Sequence, residues 1–278
     1  MEARLKSVIG SLLLALPLAA LAQFDQSHAA WSALLKKHVV LVESGKASRV
    51  DYAGFARERP ALKAYLDGLA GVSAAEFGGW SKTHRMAFLI NAYNALTVEK
   101  ILRRYPRLGS IRDFGTFFGN PWKDKFFRLF GREYTLDGIE HEMLRSPGAY
   151  DEPRVHYALN CASIGCPMLR EEAYIAERLD RQLEEQAQRF LSDRSRNRYD
   201  AAKSALQVSR IFDWYLADWS SGYKGIGSGA PPIASLAEYF ARYAALLADD
   251  PGQRRLIAQQ KVAIGYLDYD WTLNDIKR

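Results

Sequence analysis

The sequence is short of the side chains that usually carry enzyme chemistry. It has only 2 cysteines and 5 histidines in 278 residues. Both cysteines, Cys161 and Cys166, lie in one short segment, and every histidine comes before them, the last being His156. The papain-like order, in which the nucleophilic cysteine precedes its histidine, is therefore excluded. Any pair of cysteine and histidine in this chain takes its histidine from an earlier position.

Several common site motifs are also missing. No histidines or cysteines have the short spacing typical of zinc sites, and only a long-range set such as His141, His156 and Cys161 could bind that metal. The Gly-x-Ser-x-Gly elbow of a serine hydrolase does not occur. The glycines of 225–229 follow no predicted strand and precede no Lys-Ser or Lys-Thr pair, so they predict no phosphate-binding loop. We therefore predict neither a metal nor a cofactor.

Charge of one sign and long apolar runs are scarce as well. The formal net charge is +6, and basic residues are mixed with acidic ones along the chain. No basic stripe interleaved with aromatic residues appears, so we expect no nucleic-acid partner. Beyond residue 22 no apolar run approaches the roughly 20 residues of a membrane-spanning helix. We expect no transmembrane span in the mature chain.

The first residues have the pattern of a secretory signal. Arg4 and Lys6 precede an apolar run over 8–21, and Ala20 and Ala22 provide the small residues of a cleavage site. The cysteine that a lipoprotein has after its cleavage site is missing here. We predict that 1–22 is a signal peptide, that 23–278 forms one domain, and that the protein is periplasmic or secreted.

The mature chain predicts a helix-rich α+β fold, a single domain around a small antiparallel or mixed sheet. The segment 84–104 is apolar on nearly every side, which is typical of a helix in a protein interior. The segments 155–160 and 261–269 are expected to be strands of the sheet. Thr135 is placed to cap an amphipathic helix over 136–145.

The segment 154–167 is the strongest candidate for chemistry. It holds both cysteines, and His156 lies five residues before Cys161. In a regular strand these two residues would face opposite sides, whereas His141 has no such restriction. One hypothesis is that Cys161 is a nucleophile activated as a thiolate by His141 or His156. The alternative is that Cys161 and Cys166 form a disulfide or are simply packed thiols.

Asparagines are the first group of candidate supporting residues. Asn91 and Asn94 lie three residues apart on the predicted buried helix and so share a face. A buried amide without partners costs about 1–3 kcal/mol, so each should be hydrogen-bonded, either for structure or to orient a catalytic group. In the catalytic hypothesis Asn91 or Asn160 orients the base or stabilises an oxyanion.

Glu140 is the other candidate supporting residue. It falls within the apolar face of the helix predicted over 136–145, where an unpaired charge would be very costly. It therefore needs either an arginine partner, for which Arg154 is the candidate, or a functional role in orienting the base. On a regular helix Glu140 and the adjacent His141 would not point in the same direction.

Four motifs together resemble a known family. They are Arg85-Met-Ala-Phe-Leu-Ile-Asn-Ala-Tyr-Asn-Ala95, Ile139-Glu-His141 followed by Leu144-Arg145, the segment 154–167, and Tyr269-Asp-Trp-Thr-Leu-Asn274. In this order they resemble the domain-of-unknown-function 547 family, from about Trp31 to Asn274. The resemblance implies that the polar residues of these motifs belong to one site or one buried network. It implies no reaction, because the family has no settled activity.

Two functions follow from these residues. The first is a thiol-dependent hydrolase or acyltransferase that acts on an amide or ester of the cell envelope. The second is a non-catalytic periplasmic binding or assembly module in which Cys161 and Cys166 form a disulfide. The identity of the envelope substrate or ligand is left open by the sequence.

Overall fold

The computed structural model describes residues 23–115, 119–227 and 231–276, so the predicted signal peptide lies outside the described residues. The α-helices are α1 (Ala29–His38), α2 (Tyr52–Arg57), α3 (Arg59–Gly71), α4 (Ala74–Gly79), α5 (Lys82–Leu102), α6 (Leu179–Leu191), α7 (Ile211–Trp214), α8 (Leu236–Arg242), α9 (Ala244–Leu247) and α10 (Pro251–Ala258). The strands are β1 (Val39–Val42), β2 (Ala47–Val50), β3 (Phe127–Leu129), β4 (Arg132–Tyr134), β5 (Arg198–Asp200), β6 (Ala205–Val208) and β7 (Ala263–Tyr266). A π-helix over Gly138–Leu144 and several short 3₁₀-helices connect them. The predicted helix-rich α+β fold is confirmed.

Helix α5 is buried along most of its length. Ser81 caps it by accepting a hydrogen bond from the backbone N–H of His84 at 3.2 Å. Every residue from Met86 to Leu102 is buried, as the apolar character on all sides requires. The predicted helix over 84–104 is confirmed, with both ends two residues earlier. Within the described ranges, no helix combines the length and the apolar character needed to cross a membrane.

The strands form three small sheets. β1 pairs with β2, and β3 pairs with β4, each in antiparallel register. The β3–β4 hairpin turns at Gly131, whose φ of +76° lies in the left-handed region that glycine adopts at little cost. In the third sheet β6 is central, antiparallel to β5 and parallel to β7. The strand expected within 261–269 is therefore confirmed as β7 of a mixed sheet.

The strand predicted over 155–160 is wrong. Residues Pro153–Tyr157 form a 3₁₀-helix, followed by an irregular segment. Pro153 occupies the first turn, where the missing N–H of proline costs nothing, and the Glu152 side chain accepts from the backbone N–H of Arg154 at 3.0 Å. A weak alternation over six residues does not distinguish a strand from a single helical turn. The argument that His156 and Cys161 face opposite ways therefore does not apply.

Two apolar clusters make up the interior, and α6 belongs to both. The first cluster surrounds α5 and includes Trp31 and Phe88, while the second includes Phe212 and Trp219. Leu183 of α6 packs in the first cluster, and Phe190, two turns further on, packs in the second. The 3₁₀-helix that carries His156 contacts α6. The segment that carries His156 is therefore packed against α6.

Candidate thiol site

A cavity of about 320 Å³ lies between the π-helix, the segment with the two cysteines and the C-terminal residues. It brings together four predicted site residues, since Glu140, His141, His156 and Cys161 all line it. Cys166 also lines this cavity, although its side chain is almost completely buried. Asn91 and Asn160 are not among its lining residues.

Asparagine side chains hold the cysteine loop, defined as residues 158–169. Asn94 on α5 donates to the carbonyl oxygen of Ala158 at 2.8 Å and accepts from the backbone N–H of Asn160 at 2.9 Å. The Asn160 side chain in turn donates to the carbonyl oxygen of Pro167 at 2.8 Å and accepts from the N–H of Ala162 at 3.0 Å. Asn160 is therefore a positioning residue inside the loop, and its amide is occupied by backbone groups.

The C-terminal segment fixes the far side of the cysteine loop. The N–H of Ile164 donates to the Thr272 carbonyl and the N–H of Gly165 donates to the Asp270 carbonyl, both at 2.8 Å. A Cβ added at Gly165 would lie 2.9 Å from the backbone nitrogen of Asp270. Only glycine permits this approach, because that backbone cannot move aside as a flexible side chain would.

Three side chains form hydrogen bonds with the sulfur of Cys161. Its Sγ lies 2.8 Å from Cys166 Sγ, 3.1 Å from the Tyr269 hydroxyl and 3.4 Å from the Ser163 hydroxyl. The hydrogen bond from Cys166, followed by those from Ser163 and Tyr269, lowers the pKa of the Cys161 thiol in spite of its burial. Donors aimed at a sulfur stabilise the thiolate, which is the nucleophilic form of cysteine.

Cys166 has the opposite electrostatic environment. Its side chain is only 4% exposed, and burial raises the pKa of its thiol well above the ordinary value. The backbone N–H of Cys161 donates to Cys166 Sγ at 2.9 Å. Both cysteines are free thiols in the structure. The two sulfurs are thus adjacent but differ in exposure and in acidity.

His156 is oriented by an acidic residue that the sequence analysis did not identify. Asp218 Oδ2 lies 2.8 Å from His156 Nε2 and 2.6 Å from Arg145 Nε. Burial opposes ionisation of Asp218, but the hydrogen bonds from His156 and Arg145 outweigh it and lower the pKa of the carboxyl to about 2. Asp218 is therefore an ionised acceptor at neutral pH, so His156 Nε2 must be the protonated nitrogen.

This arrangement leaves the other nitrogen of His156 available. Burial lowers the pKa of His156, which keeps the ring neutral near pH 7. In the described part of the chain no group hydrogen-bonds to His156 Nδ1. Tyr215 stacks on the ring with centroids 4.0 Å apart and restricts its rotation. His156 therefore presents a basic lone pair that is oriented by a carboxylate on its opposite nitrogen.

His141 differs from His156 in this respect. Its Nδ1 is hydrogen-bonded to Arg145 NH1, and because a guanidinium can only donate, His141 Nδ1 must accept. The neutral ring then carries its proton on Nε2, which lies 3.6 Å from Asp137 Oδ1. The basic lone pair of His141 is therefore already used by Arg145.

Glu140 and His141 are adjacent in sequence, and both line the cavity. Both belong to the π-helix, in which the N–H of Arg145 bonds to the Glu140 carbonyl five residues earlier at 3.0 Å. This pattern widens the turn and reduces the rotation between consecutive side chains.

Glu140 accepts a hydrogen bond from the Tyr215 hydroxyl at 2.9 Å. The suggested ion pair between Glu140 and Arg154 does not form. Arg154 NH2 instead lies 2.7 Å from both Glu152 and Asp180. A tyrosine from a distant part of the chain thus satisfies the carboxylate for which an arginine partner was expected.

Asn91 is placed away from the cavity. Its amide donates to the Tyr174 carbonyl at 2.7 Å and accepts from the Tyr174 N–H at 3.0 Å, which links α5 to the segment before α6. Both polar ends of the side chain are occupied by one backbone residue. Asn91 therefore holds two parts of the fold together and does not line the cavity.

Three tryptophans line the cavity, and we call Trp122, Trp214 and Trp271 the aromatic rim. Trp214 and Trp271 stack with centroids 5.7 Å apart, and Trp122 meets Trp271 edge-on at 6.0 Å. Trp214 is 45% exposed. Trp122 and Trp271 are half-buried. Aromatic side chains that line a cavity are typical of a ligand-binding site.

The sequence contained little sign of several of these residues. Asp218 and Tyr215 belong to no spacing pattern with His156 or Glu140, so only the folded chain reveals them. Tyr269 lies in one of the motifs noted above, but its contact with a sulfur could not be inferred from it. In the described ranges no three His, Cys, Asp or Glu side chains converge as a metal site would require.

Comparison with a family sequence profile covers the central part of the chain. The profile described as "Protein of unknown function, DUF547" matches residues 77–191, a shorter stretch than the resemblance noted above. The matched stretch contains both cysteines and the two histidines that line the cavity. Asp218 and Tyr269 lie outside it, so residues C-terminal to the matched stretch complete the site.

The comparisons with curated proteins and with solved structures gave no match. Residues 77–191, with the four sulfur and imidazole groups of the cavity, belong to the DUF547 family of proteins of unknown function.

Proposed function

We propose that the protein is a thiol-dependent hydrolase or acyltransferase, with Cys161 as the nucleophile and His156 as the general base. One observation carries this proposal: a thiol whose pKa is lowered by its hydrogen-bond partners and a histidine oriented by Asp218 line the same cavity. Such a nucleophile, base and orienting carboxylate are the elements of a catalytic triad, which is recognised by geometry and role rather than by sequence order.

The reaction would proceed in two stages. His156 Nδ1 takes the thiol proton, and Cys161 Sγ attacks the carbonyl carbon of an amide or ester. The protonated His156 then gives its proton to the departing amine or alcohol, which leaves an acyl group on Cys161. Water or an acceptor nucleophile releases that group in the second stage. No direct hydrogen bond joins Cys161 to His156 in the structure, so the first proton transfer would pass through a water molecule.

The cavity favours a substrate with an apolar or aromatic portion. Its size is at the lower end of the range typical of small-molecule sites. The aromatic rim would bind that portion, while the reacting carbonyl lies deeper, near Cys161. We place the substrate in the cell envelope, and the support for this is the signal-like sequence of residues 1–22.

A second candidate function is a non-catalytic periplasmic binding or assembly module. The observation that favours it is the 2.8 Å separation of the two sulfurs, since a disulfide between them would need little movement. In that case the aromatic rim would bind a ligand without turnover. The loop closed by this bond is short, so the disulfide would shape the loop more than it would stabilise the whole protein.

The two functions are separated by turnover measurements on the reduced full-length protein. A panel of chromogenic esters and acyl amides is tested with the wild type, Cys161→Ser and His156→Gln. We expect Cys161→Ser to abolish turnover and His156→Gln to lower kcat by about 10²-fold or more, as for loss of a general base. Because burial lowers the pKa of His156 below 6.5, wild-type activity should decline only below that pH.

His38→Gln is the matched control. His38 is also a buried histidine beside a carboxylate, 2.6 Å from Glu58, but it does not line the cavity. This variant should retain kcat even if its stability falls. Undiminished turnover in Cys161→Ser would overturn the catalytic proposal. An oxidised pair in the isolated protein, with ligand binding that is insensitive to Cys161→Ser, would favour the second function.

A further inference from the structure

We propose that Cys161 and Cys166 form a redox-active dithiol, which exchanges electrons with organic disulfides through attack by Cys161 and resolution by Cys166. This activity goes beyond the proposed acyl chemistry and does not depend on it, because it requires only the two sulfurs and an external disulfide.

The first argument is the placement of the sulfurs. They are 2.8 Å apart as free thiols, so Cys166 already lies within attacking distance of any adduct on Cys161. A turn holds the loop in this shape, with the N–H of Cys166 bonded to the Ser163 carbonyl at 3.2 Å. Asn160 and the C-terminal segment anchor the same loop from two sides. The fold therefore holds the two sulfurs close to each other before any external disulfide binds.

The second argument is the asymmetry of the pair. Cys161 is half-buried and lines the cavity, and its Sγ lies within hydrogen-bond distance of the Cys166 thiol and the Tyr269 hydroxyl. Cys166 is 4% exposed and is held inside the loop. An attacking cysteine must be accessible and acidic, whereas a resolving cysteine must be shielded until the first step is complete. The pKa of the Cys161 thiol is lowered and that of the Cys166 thiol is raised, which agrees with these two roles.

The electron and atom balance closes without any further reactant. The Cys161 thiolate attacks one sulfur of the external disulfide, so that a mixed disulfide forms and one external thiolate leaves. Cys166 then attacks Cys161 Sγ and passes its proton to the second external sulfur, which leaves as a thiol. The dithiol is oxidised to a Cys161–Cys166 disulfide, and the external disulfide is reduced by two electrons. As Cys166 loses its proton, the Cys161 N–H at 2.9 Å stabilises the developing charge.

Oxidation would also stop the acyl chemistry, because no Cys161 thiolate remains. The same cavity would thus be active toward carbonyl substrates only when the pair is reduced. This consequence rests on the proposed function, but the redox exchange itself does not.

The test uses the reduced full-length chain and oxidised glutathione, with intact-mass analysis and peptide mapping at timed points. The wild type should form an internal disulfide and retain no glutathione. Cys166→Ser should accumulate one glutathione on Cys161, since the resolving thiol is missing. In Cys161→Ser, glutathionylation of Cys166 should be at least about tenfold slower, because only an accessible thiolate attacks. Cys166→Ala repeats the trapping experiment without a hydroxyl in the buried position.

The wild type is then equilibrated in buffers of reduced and oxidised glutathione. A reversible two-electron transition is the expected result. The proposal is overturned if Cys161 stays unmodified in both Cys166 variants, if the wild type retains glutathione, or if its disulfide resists reduction by glutathione. Ester turnover measured on the same samples reports separately on the proposed acyl chemistry. Loss of one activity with retention of the other therefore identifies which proposal fails.

Discussion

Two cysteines separated by four residues acquire different chemical properties from their surroundings. Both line the cavity, but Cys161 is only half-buried, whereas the Cys166 side chain is 4% exposed. The same holds for the two histidines, because Arg145 occupies the lone pair of His141 and Asp218 orients that of His156. At the scale of single residues, it is therefore the hydrogen-bond partners that assign roles to otherwise equivalent groups.

Removal of the Tyr269 hydroxyl should make Cys161 less acidic. In Tyr269→Phe the thiolate loses the donor at 3.1 Å. The midpoint of a profile of iodoacetamide labelling rate against pH should rise by up to about one pH unit, since a hydrogen bond to a charged group contributes about 1.5 kcal/mol. Tyr199→Phe is the control, because that hydroxyl makes no contact with Cys161. An unchanged midpoint in Tyr269→Phe would show that Tyr269 does not stabilise the thiolate.

Helix α5 supplies two asparagines with similar contacts but different targets. Asn94 bonds to the cysteine loop through Ala158 and Asn160, and Asn91 bonds to Tyr174. Each side chain satisfies one backbone donor and one backbone acceptor in the interior. Variants at the two positions therefore separate an effect on the stability of the protein from an effect on the position of the cysteine loop.

We expect Asn94→Ala and Asn91→Ala each to lower the free energy of unfolding by about 1–3 kcal/mol, because each leaves buried backbone groups without partners. Urea denaturation measures this loss. Only Asn94→Ala should also change the rate of Cys161 labelling, since only this variant releases the cysteine loop. Equal labelling rates in the two variants would mean that the C-terminal segment alone fixes the loop.

The π-helix is the second element with a direct effect on the cavity. It carries Glu140 and His141, both of which line the cavity. Elements with this geometry recur at functional sites, which agrees with the position of this helix beside the two cysteines. The local geometry therefore adds a second polar group to the cavity wall.

Across the whole molecule, buried ionisable groups determine how stability depends on pH. Burial lowers the pKa of His28 to about 4, below its ordinary value of 6.5. The unfolded chain thus binds a proton at a higher pH than the folded chain does, so stability falls as the pH drops from 6.5 toward 4. Asp218, with its pKa lowered from 3.8 to about 2, contributes stability that is present above pH 3.8 and is lost as the pH falls toward 2.

We expect the free energy of unfolding to decrease in two successive windows on acidification. The first, due to His28, should amount to about 3 kcal/mol when complete, and burial of His156 adds to it in the same direction. Urea titrations at stepped pH values measure the profile. His28→Gln should flatten the segment between pH 6.5 and 4. A slope identical to that of the wild type would contradict the assignment to His28.

Sequence alone determined the helix-rich α+β class, the buried helix α5 and the strand β7, because these depend on local periodicity and apolar content. It also located the segment with both cysteines, since that segment is unique in composition. It failed at 155–160, where a proline-initiated 3₁₀ turn replaces the predicted strand. Weak alternation in a short segment holds too little information to distinguish these two conformations.

Only the tertiary structure decided how the cavity is built. Asp218, Tyr215 and Tyr269 come from parts of the chain far from His156 and Cys161, and no spacing pattern links them in advance. Their roles arise from through-space hydrogen bonds in a buried environment, where an unpaired polar group is costly and each partner must therefore be found by folding. For this reason the sequence located the sulfurs, while the fold decided which histidine keeps a ring nitrogen without a hydrogen-bond partner among the described residues and which cysteine is shielded.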